Sequence, residues 1–399
     1  NPQPEPEPST LNPNPNPNPN IRMGMNKKDK NVVKGLMALA VFLGLSAVVL
    51  DQALKAAGDP LRLVGAMASC YVAGQFLVRF YKQYLTPSYD FKAAGGWAIV
   101  TGCTGGLGQE YAHRLAKRGM NVLLISRSEK KLKALQAKLI EEYGVLVEYL
   151  AFDFAKCTAA NAKKFYGSTL PAKLAAAPIQ GEVGLLVNNV GVGDEAPLFV
   201  EELPLQDADD MIKVNCGATV QMSRALLPLM SDRRKGAIIN VSSGSCAQPT
   251  AFLSTYSATK SFIAQFSRSI GREYAALGVK VLCINPYYIS GTGLYPASKP
   301  SLNAPAAYRV VEGSFQALGK HEISHSYYFH AIIGCITGGF MEDSVMQLIT
   351  AALVKPMGLN GSMLMIQQSA RKRSEKKNPE LFANLKAQRE EVLAKLGRR

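Results

Sequence analysis

A glycine-rich stretch with the sequence TGCTGGLG, residues 101–108, constrains the fold of this chain more than any other feature. It directly follows the apolar run GWAIV and opens a segment with helical spacing, which predicts a strand, a tight turn and a helix. Glycines in such a turn let backbone amides approach a phosphate at the helix N-terminus, where the helix dipole favours an anion. The motif therefore predicts a dinucleotide site that includes Gly102, Thr104, Gly106, Leu107 and Gly108.

Short β-rich runs alternate with helical segments from residue 96 onward. Strands are predicted for the runs GWAIV, NVLLIS, VEYLAFD, VGLLVNN, GAIINVSS and VKVLCINP. Apolar strands separated by helices are typical of a parallel sheet covered on both faces, and right-handed crossovers make such a sheet doubly wound. We therefore predict an α/β fold with a doubly wound, Rossmann-type parallel sheet in residues 92–355.

Two apolar stretches precede this region, at residues 32–50 and 63–80. Each approaches the ~20 residues of a membrane-spanning helix. Lysines before the first stretch, and Arg79 and Lys82 after the second, predict that both ends face the cytosol. A cleaved signal peptide and a buried core helix are the alternatives, although no cleavage site is convincing. We expect residues 32–85 to form an N-terminal membrane-anchoring helical segment of one or two helices.

The two ends of the chain differ in composition from the predicted fold. Residues 1–31 are rich in Pro and Asn and predict a disordered N-terminus, whereas residues 356–399 form a basic tail. Apolar residues in the tail share one helical face, which predicts either a membrane-surface helix or a packed tail. These residues are Leu381, Leu385, Val392 and Leu396.

Charge and cysteine content limit the partners and the compartment. The formal net charge of +15 arises largely from lysines and arginines at the chain ends and beside the apolar stretches. This distribution fits an anionic membrane surface and predicts no nucleic-acid partner. The seven cysteines are scattered without a Cys-x-x-Cys pattern, which is typical of a reducing compartment, so we expect the folded part to face the cytosol.

The end of the second predicted strand discriminates between the two nicotinamide cofactors. An acidic residue at this point would accept the ribose 2′-hydroxyl of NAD, but Ser126 and Arg127 stand there. An arginine next to small hydroxyl groups can bind a 2′-phosphate, so NADP(H) is the predicted cofactor. The acidic residue Glu129, which follows closely, is the one feature that argues against this prediction. Asp153, at the end of the third strand, is expected either to accept a hydrogen bond from the adenine amine or to cap the following helix.

The segment TYSATKSF, residues 255–262, places Tyr256 four residues before Lys260. On a helix these positions share one face, so the phenol and the ammonium can converge. A fixed cation would lower the tyrosine pKa from ~10 and let the phenol act as an acid or base near neutrality. The pattern alone is frequent by chance, and other motifs must support it.

From about residue 96 to residue 292 the chain resembles the short-chain dehydrogenase/reductase family. The glycine motif, NNVG at 188–191, VSS at 241–243 and YSATK at 256–260 occur in the family's order, with Ser243 at the family's spacing from Tyr256. The resemblance implies a catalytic set of Asn215, Ser243, Tyr256 and Lys260.

The resemblance also implies the role of each residue. Tyr256 would donate a proton to the substrate carbonyl as hydride arrives from the nicotinamide, and Ser243 would orient and polarise that carbonyl. Lys260 would lower the tyrosine pKa and bind the nicotinamide ribose, and Asn215 would hold a water that relays protons. Further cofactor contacts are expected at Asn189, Gly191, Ile289 and Thr292.

Several segments resemble more closely the very-long-chain 3-oxoacyl-CoA reductases of fatty-acid elongation. These are RLAKRGMNVLLISRSEKKL, LLVNNVG, SSGS and TYSATKSF. The resemblance implies an NADPH-dependent reductase of long-chain 3-oxoacyl-CoA on the endoplasmic reticulum membrane, with its catalytic domain in the cytosol. Other elongation enzymes and a second copy of the chain are candidate partners. The alternatives are a hydroxysteroid or retinoid dehydrogenase and a catalytically inactive NADP-binding scaffold.

The sequence HEISH, residues 321–325, matches the His-Glu-x-x-His zinc motif. It lies after the predicted sheet, and the dehydrogenase pattern explains far more of the chain. We therefore expect no metal site and assign these residues to the surface or to a loop near the substrate.

Overall fold

The structure is a computed structural model. It describes residues 51, 74, 88–194, 196–247, 249–292, 299–338 and 363–395. The chain divides into two units, Asn1–Leu85 and Thr86–Arg399. The predicted N-terminal disorder and all but two residues of the predicted membrane anchor lie outside the described residues. Within the described part of the chain, every helix is too short or too polar to cross a bilayer.

A parallel sheet forms the centre of the second unit. In the described residues its strands are β1 (Trp97–Thr101), β2 (Asn121–Ser126), β3 (Val147–Ala151), β4 (Val183–Asn188), β5 (Gly236–Val241), β6 (Val279–Ile284) and β7 (Ile323–Ser324). Their order is β3-β2-β1-β4-β5-β6-β7, and every neighbouring pair is parallel. The predicted parallel α/β sheet of Rossmann type is confirmed, and β7, which has two residues, extends it beyond the predicted strands.

Helices connect these strands. They are α1 (Phe91–Ala94), α2 (Gly106–Lys117), α3 (Glu129–Tyr143), α4 (Ala159–Lys164), α5 (Leu170–Ala175), α6 (Leu205–Met211), α7 (Ala218–Asp232), α8 (Ser254–Glu273), α9 (Ala307–Ala317), α10 (Tyr328–Gly338), α11 (Met363–Lys377) and α12 (Pro379–Lys395). π-helical turns occur at Phe165–Thr169 and Ile212–Gly217, and 3₁₀ turns at Val200–Glu202, Gly244–Cys246 and Ala275–Leu277.

The central strands β1, β2, β4, β5 and β6 are mostly apolar because both faces of the sheet are buried there. Ala98 and Val100 of β1 pack into one core with α2 and α9, whereas Trp97 and Ile99 pack into a second core with α7. Successive side chains of a strand point to opposite faces, so a strand covered on both faces needs apolar residues at every position. This requirement explains the continuous apolar runs from which the strands were predicted.

A buried polar chain ties the helix of the Tyr-Lys pair to the sheet. Asn188 Nδ2 donates to Asn240 Oδ1 at 2.8 Å, between β4 and β5. Asn240 Nδ2 donates in turn to Ser267 Oγ at 2.8 Å, on α8. Asn240 and Ser267 are 0% and 2% exposed, so these hydrogen bonds replace water that neither group can reach. These two hydrogen bonds fix the position of α8 relative to the sheet.

The C-terminal helices α11 and α12 pack against the loop after β4 within the second unit. Leu385 of α12 is 7% exposed and contacts Ala196 and Leu198 in the loop after β4, with Leu381 partly buried beside them. The sequence left open whether this apolar face lies on a membrane or packs against the protein. At Leu381 and Leu385 it packs against the protein. The side chains of Val392 and Leu396 lie outside the described residues.

Candidate active site

The glycine motif forms a close-packed turn at the carboxyl end of β1. Gly102 and Gly106 have φ angles of +64° and +53°, which side chains rarely allow. A Cβ atom at Gly108 would lie 2.3 Å from Asn189 Nδ2 and 2.4 Å from the Gly102 carbonyl oxygen. Helix α2 begins here with Gly105 as its N-cap and without a side-chain capping hydrogen bond. Its first amides can therefore donate to an anion.

Thr101 and Asn189 join the glycine turn to the loop after β4. Thr101 Oγ1 accepts from the backbone amides of Asn189 and Val190 at 3.0 and 3.1 Å. The Asn189 side-chain amide donates to the carbonyl oxygens of Thr101 and Gly102, each at 3.1 Å. The side chain of Asn189 thus shapes the glycine turn, and its role in binding a cofactor remains a prediction.

The residues predicted to select the cofactor lie beside this turn. Thr104 Oγ1 and Ser126 Oγ are 3.0 Å apart, which joins the glycine turn to the end of β2. Arg127 is exposed, and Asp153 lies after β3, where its carboxylate accepts from the Ala155 amide at 3.1 Å. Glu129 points towards Lys133 and Tyr149, with an ion pair of 3.0 Å to the lysine. This ion pair offsets the charge of Glu129, the residue that argues against NADP(H).

The loop after β6 reaches the same turn. The Cβ position of Gly106 is 3.6 Å from the Thr292 side chain, and Thr292 Oγ1 donates to the Ile289 carbonyl oxygen at 2.9 Å. Ile289 is buried. The structure therefore brings Thr292, a predicted cofactor contact far away in sequence, to the glycine motif, with Ile289 joined to it by this hydrogen bond.

Tyr256 lies in the first turn of α8, close to Ser243 at the end of β5. Burial raises the pKa of Tyr256 to about 12, and the charge of Asp194 adds to this, whereas a hydrogen bond from Ser243 lowers it. This direction is opposite to the lowering that the sequence predicts. The Tyr-Lys spacing reports the neighbouring cation but not the desolvation of the phenol, which is the larger effect here.

Lys260 is buried, with 4% of its surface exposed. Its Nζ donates to the Val241 carbonyl oxygen at 3.2 Å and lies 5.5 Å from the centre of the Tyr256 ring. Burial lowers the pKa of Lys260 to about 8, because an ammonium loses solvation in the interior. The Lys260 ammonium is thus held beside the Tyr256 phenol, and it loses its proton at a pH only slightly above neutral.

Asn215 lies in the π-helical turn Ile212–Gly217, opposite Lys260. Its side chain accepts from the Val192 amide at 2.8 Å and donates to the Val192 carbonyl oxygen at 2.9 Å and to Thr259 Oγ1 at 2.9 Å. A Cβ atom at Gly191 would lie 3.3 Å from both Asn215 Oδ1 and Lys260 Nζ. Isolated π turns often occur at functional sites. All four predicted catalytic residues therefore meet at the carboxyl edge of the sheet.

Sequence reasoning missed two residues of this site. Asp194 Oδ2 is buried without a hydrogen-bond partner among the described residues, and burial raises the Asp194 pKa to about 6. Tyr287 covers Gly244, where a Cβ atom would lie 2.4 Å from the Tyr287 ring. No local motif in the sequence signals Asp194 or the packing of Tyr287 on Gly244.

The HEISH residues surround the short strand β7 and do not form the helix on which a His-Glu-x-x-His zinc site is built. His325 Nδ1 shares a hydrogen bond with the Asn285 carbonyl oxygen at 2.8 Å, and its ring stacks on Tyr287 at 5.8 Å. Glu322 faces Arg272 at 3.4 Å. These residues thus take part in packing and ion pairing at the sheet edge.

Comparison with known proteins agrees with this geometry. Residues 96–301 match the family model described as short chain dehydrogenase. The very-long-chain 3-oxoacyl-CoA reductases of Rattus norvegicus and Homo sapiens are 36% and 35% identical to this chain, and each alignment covers 72% of the chain and 90% of the relative. Hydroxysteroid dehydrogenase-like protein 1 of Gallus gallus is 38% identical to this chain, and the alignment covers 60% of this chain and 71% of the relative.

A solved 7beta-hydroxysteroid dehydrogenase has the same fold, with a TM-score of 0.55 at 22% identity over 65% of this chain and 99% of its own. The chain belongs to the short-chain dehydrogenase family and is an oxidoreductase. The predicted nicotinamide cofactor agrees with this family.

The packing of the glycine turn yields a matched pair of substitutions. We expect Gly108→Ala to weaken NADPH binding at least tenfold, because its Cβ would meet Asn189 and the Gly102 carbonyl oxygen inside 2.5 Å. Gly105→Ala should leave binding within about twofold, since the space beside Gly105 is open. Fluorescence titration with NADPH measures both variants. Equal affinities would show that the turn does not form the binding site.

Proposed function

We propose that this protein is a membrane-attached, NADPH-dependent ketoreductase that converts long-chain 3-oxoacyl-CoA to 3-hydroxyacyl-CoA in fatty-acid elongation. The observation that carries the proposal is the convergence of Ser243, Tyr256, Lys260 and Asn215 beside the glycine turn. The substrate class is supported by the printed names of the rat and human relatives, 90% of whose length aligns with this chain.

The residues around the glycine turn fit NADP(H). Side chains at Gly102 and Gly108 would collide with neighbouring atoms, Gly106 has a φ of +53°, and helix α2 begins without a side-chain cap. Ser126 and Arg127 would hold the 2′-phosphate, with the guanidinium supplying the charge. Asn189, Gly191, Ile289 and Thr292 would hold the nicotinamide half. The bound cofactor supplies the hydride that reduces the ketone.

Tyr256 is the proton donor in this proposal. Because its pKa is about 12, the phenol is protonated at neutral pH, which is the form that reduction of a ketone requires. The proton passes from the phenol oxygen to the substrate oxygen, and Ser243 donates a hydrogen bond to that oxygen. The ammonium of Lys260, 5.5 Å from the ring centre, stabilises the phenolate that remains.

Asn215 keeps the base of this site rigid. Its side-chain amide donates to the Val192 carbonyl oxygen and to Thr259 Oγ1, and its Oδ1 accepts from the Val192 amide, so it fixes the loop after β4 relative to α8. We place the proton-relay water of the family next to this residue. The relay would return a proton to Tyr256 by way of Lys260 after each turnover.

Membrane attachment belongs to the same proposal. The two apolar stretches within residues 32–85 would anchor the chain in the endoplasmic reticulum membrane, with residues 92–355 as the catalytic domain in the cytosol. A long acyl chain partitions into the bilayer, so an enzyme at the membrane surface meets its substrate there. Other elongation enzymes and a second copy of the chain are the proposed partners.

The length of the acyl chain tests the substrate class. The assay measures NADPH oxidation with the detergent-solubilised full chain and 3-oxoacyl-CoA of increasing length. We expect the transition-state stabilisation to grow by ~0.8 kcal/mol per buried methylene, so that kcat/KM rises about fourfold for each, until further methylenes are no longer buried. Oxosteroids in the same panel test the hydroxysteroid alternative, which the Gallus gallus relative favours. A steroid preferred over every acyl-CoA would overturn the substrate assignment.

The titration of Lys260 yields a pH prediction. Because burial lowers the Lys260 pKa to about 8, the ammonium is present below this pH and lost above it. We expect kcat/KM for NADPH, which reports the free enzyme, to fall about tenfold per pH unit above pH ~8.5. Lys260→Met should give a low and flat profile, whereas the exposed Lys280→Met should keep the native one. A flat native profile between pH 7 and 10 would contradict this role of Lys260.

A further inference from the structure

One arginine connects the C-terminal helices to the loop after β4. Arg371 of α11 forms a two-pronged ion pair with Glu202, with Nη1 to Oε2 at 2.6 Å and Nη2 to Oε1 at 2.8 Å. Arg371 Nη1 also donates to the Pro197 carbonyl oxygen at 3.2 Å. The two charged side chains are 13% and 8% exposed, so this ion pair is shielded from water and salt.

Aromatic rings enclose the same guanidinium. Its carbon lies 4.6 Å from the centre of the Phe199 ring, 5.6 Å from that of Phe252 and 5.1 Å from that of Phe382. Phe199 and Phe252 also contact each other edge to face at 5.0 Å. The arginine therefore joins three separate segments, which are the loop after β4, the turn before α8 and helix α12.

An apolar layer supports the ion pair. Ala196 and Leu198 of the loop are buried against Leu385, and Leu203 and Leu381 pack beside them. The contacts that hold the C-terminal helices to the loop are thus both apolar and ionic. An ion pair fixes the position of such a contact, whereas apolar packing alone tolerates sliding.

Two of the segments that Arg371 joins, the loop after β4 and the turn before α8, are continuous in sequence with the candidate active site. The loop follows Asp194, whose charge acts on Tyr256. Phe252 lies four residues before Tyr256, and its amide oxygen accepts from the Leu198 amide at 2.9 Å. Phe252 has a φ of +66°, a conformation that residues with side chains disfavour, so neighbouring contacts must hold it.

Glu202 remains ionised in this setting. Its burial alone would raise the carboxyl pKa, but the hydrogen bonds and charge of Arg371, together with the Phe199 amide, hold the pKa of Glu202 below its usual range. Removing the arginine would leave a buried carboxylate without its partner, which is more costly than removing both groups.

We propose that Arg371 is a positioning residue, through which the C-terminal helices hold residues 196–203 of the loop after β4 and the turn before α8 and so shape the substrate side of the site. This inference rests on the proposed ketoreductase function for its kinetic consequence. The contacts described for Arg371 involve neither the glycine turn nor the catalytic residues. Its loss should therefore affect the ketone substrate and not the cofactor.

The test compares Arg371→Met with Lys372→Met in the full chain. Lys372 is exposed on the same helix and serves as the matched control. We expect Arg371→Met to lower kcat/KM for the best ketone substrate about tenfold or more, since small displacements near the reacting groups are costly, while the NADPH dissociation constant stays within twofold. Lys372→Met should match the native protein in both measurements.

Hydrogen exchange supplies a readout that needs no substrate. The Leu198 and Phe199 amides donate to Phe252 O and Glu202 Oε2, so we expect both to exchange at least tenfold faster in Arg371→Met than in Lys372→Met. Native exchange in Arg371→Met would overturn the inference. If these amides lose protection but no oxoacyl-CoA is reduced by the native chain, the proposed substrate fails and the positioning role stands.

A double substitution protects the test against general misfolding. Glu202→Gln combined with Arg371→Met leaves no buried unpaired charge, so its thermal midpoint should recover towards the native value relative to Arg371→Met alone. The ketone kcat/KM should remain low in this folded double variant, because the link from α11 to the loop is still absent. Recovery of native kcat/KM would show that Arg371 acts only on stability, which contradicts a positioning role.

Discussion

The burial of the Lys260 ammonium is the interaction on which the candidate site depends. A buried cation is tolerated only where polar groups surround it, and here the Val241 carbonyl oxygen accepts from it at 3.2 Å. A side chain at Gly191 would crowd this site, because the ammonium and Asn215 Oδ1 both lie 3.3 Å from its Cβ position. The end of β5, the loop after β4 and the π turn are therefore all arranged around one cation.

The position of α8 converts this local arrangement into a functional geometry. Ser267 ties the middle of the helix to Asn240 in the sheet, and Thr259 ties its first turns to Asn215. Tyr256 is then carried to the carboxyl edge, where the glycine turn also lies. The parallel sheet explains this meeting, since the carboxyl ends of all its strands share one edge.

Much of this could be predicted from the sequence because the relevant signals are local. Glycine spacing, continuous apolar runs and the Tyr-x-x-x-Lys pattern each describe neighbouring residues. The strand β7 was missed because two residues carry no periodicity. The pairing of Arg371 with Glu202 joins positions far apart in the chain, so no local pattern contains it. The pKa of Tyr256 was predicted in the wrong direction for this structure because spacing does not report burial.

Replacing the phenol hydroxyl tests the account most directly. Tyr256→Phe removes the proposed proton donor and keeps the ring, and Tyr274→Phe at the far end of α8 is the control. The account predicts that Tyr256→Phe lowers kcat for ketone reduction at least a hundredfold while the NADPH dissociation constant changes less than about twofold. Retention of more than about a hundredth of the native kcat would contradict Tyr256 as the proton donor.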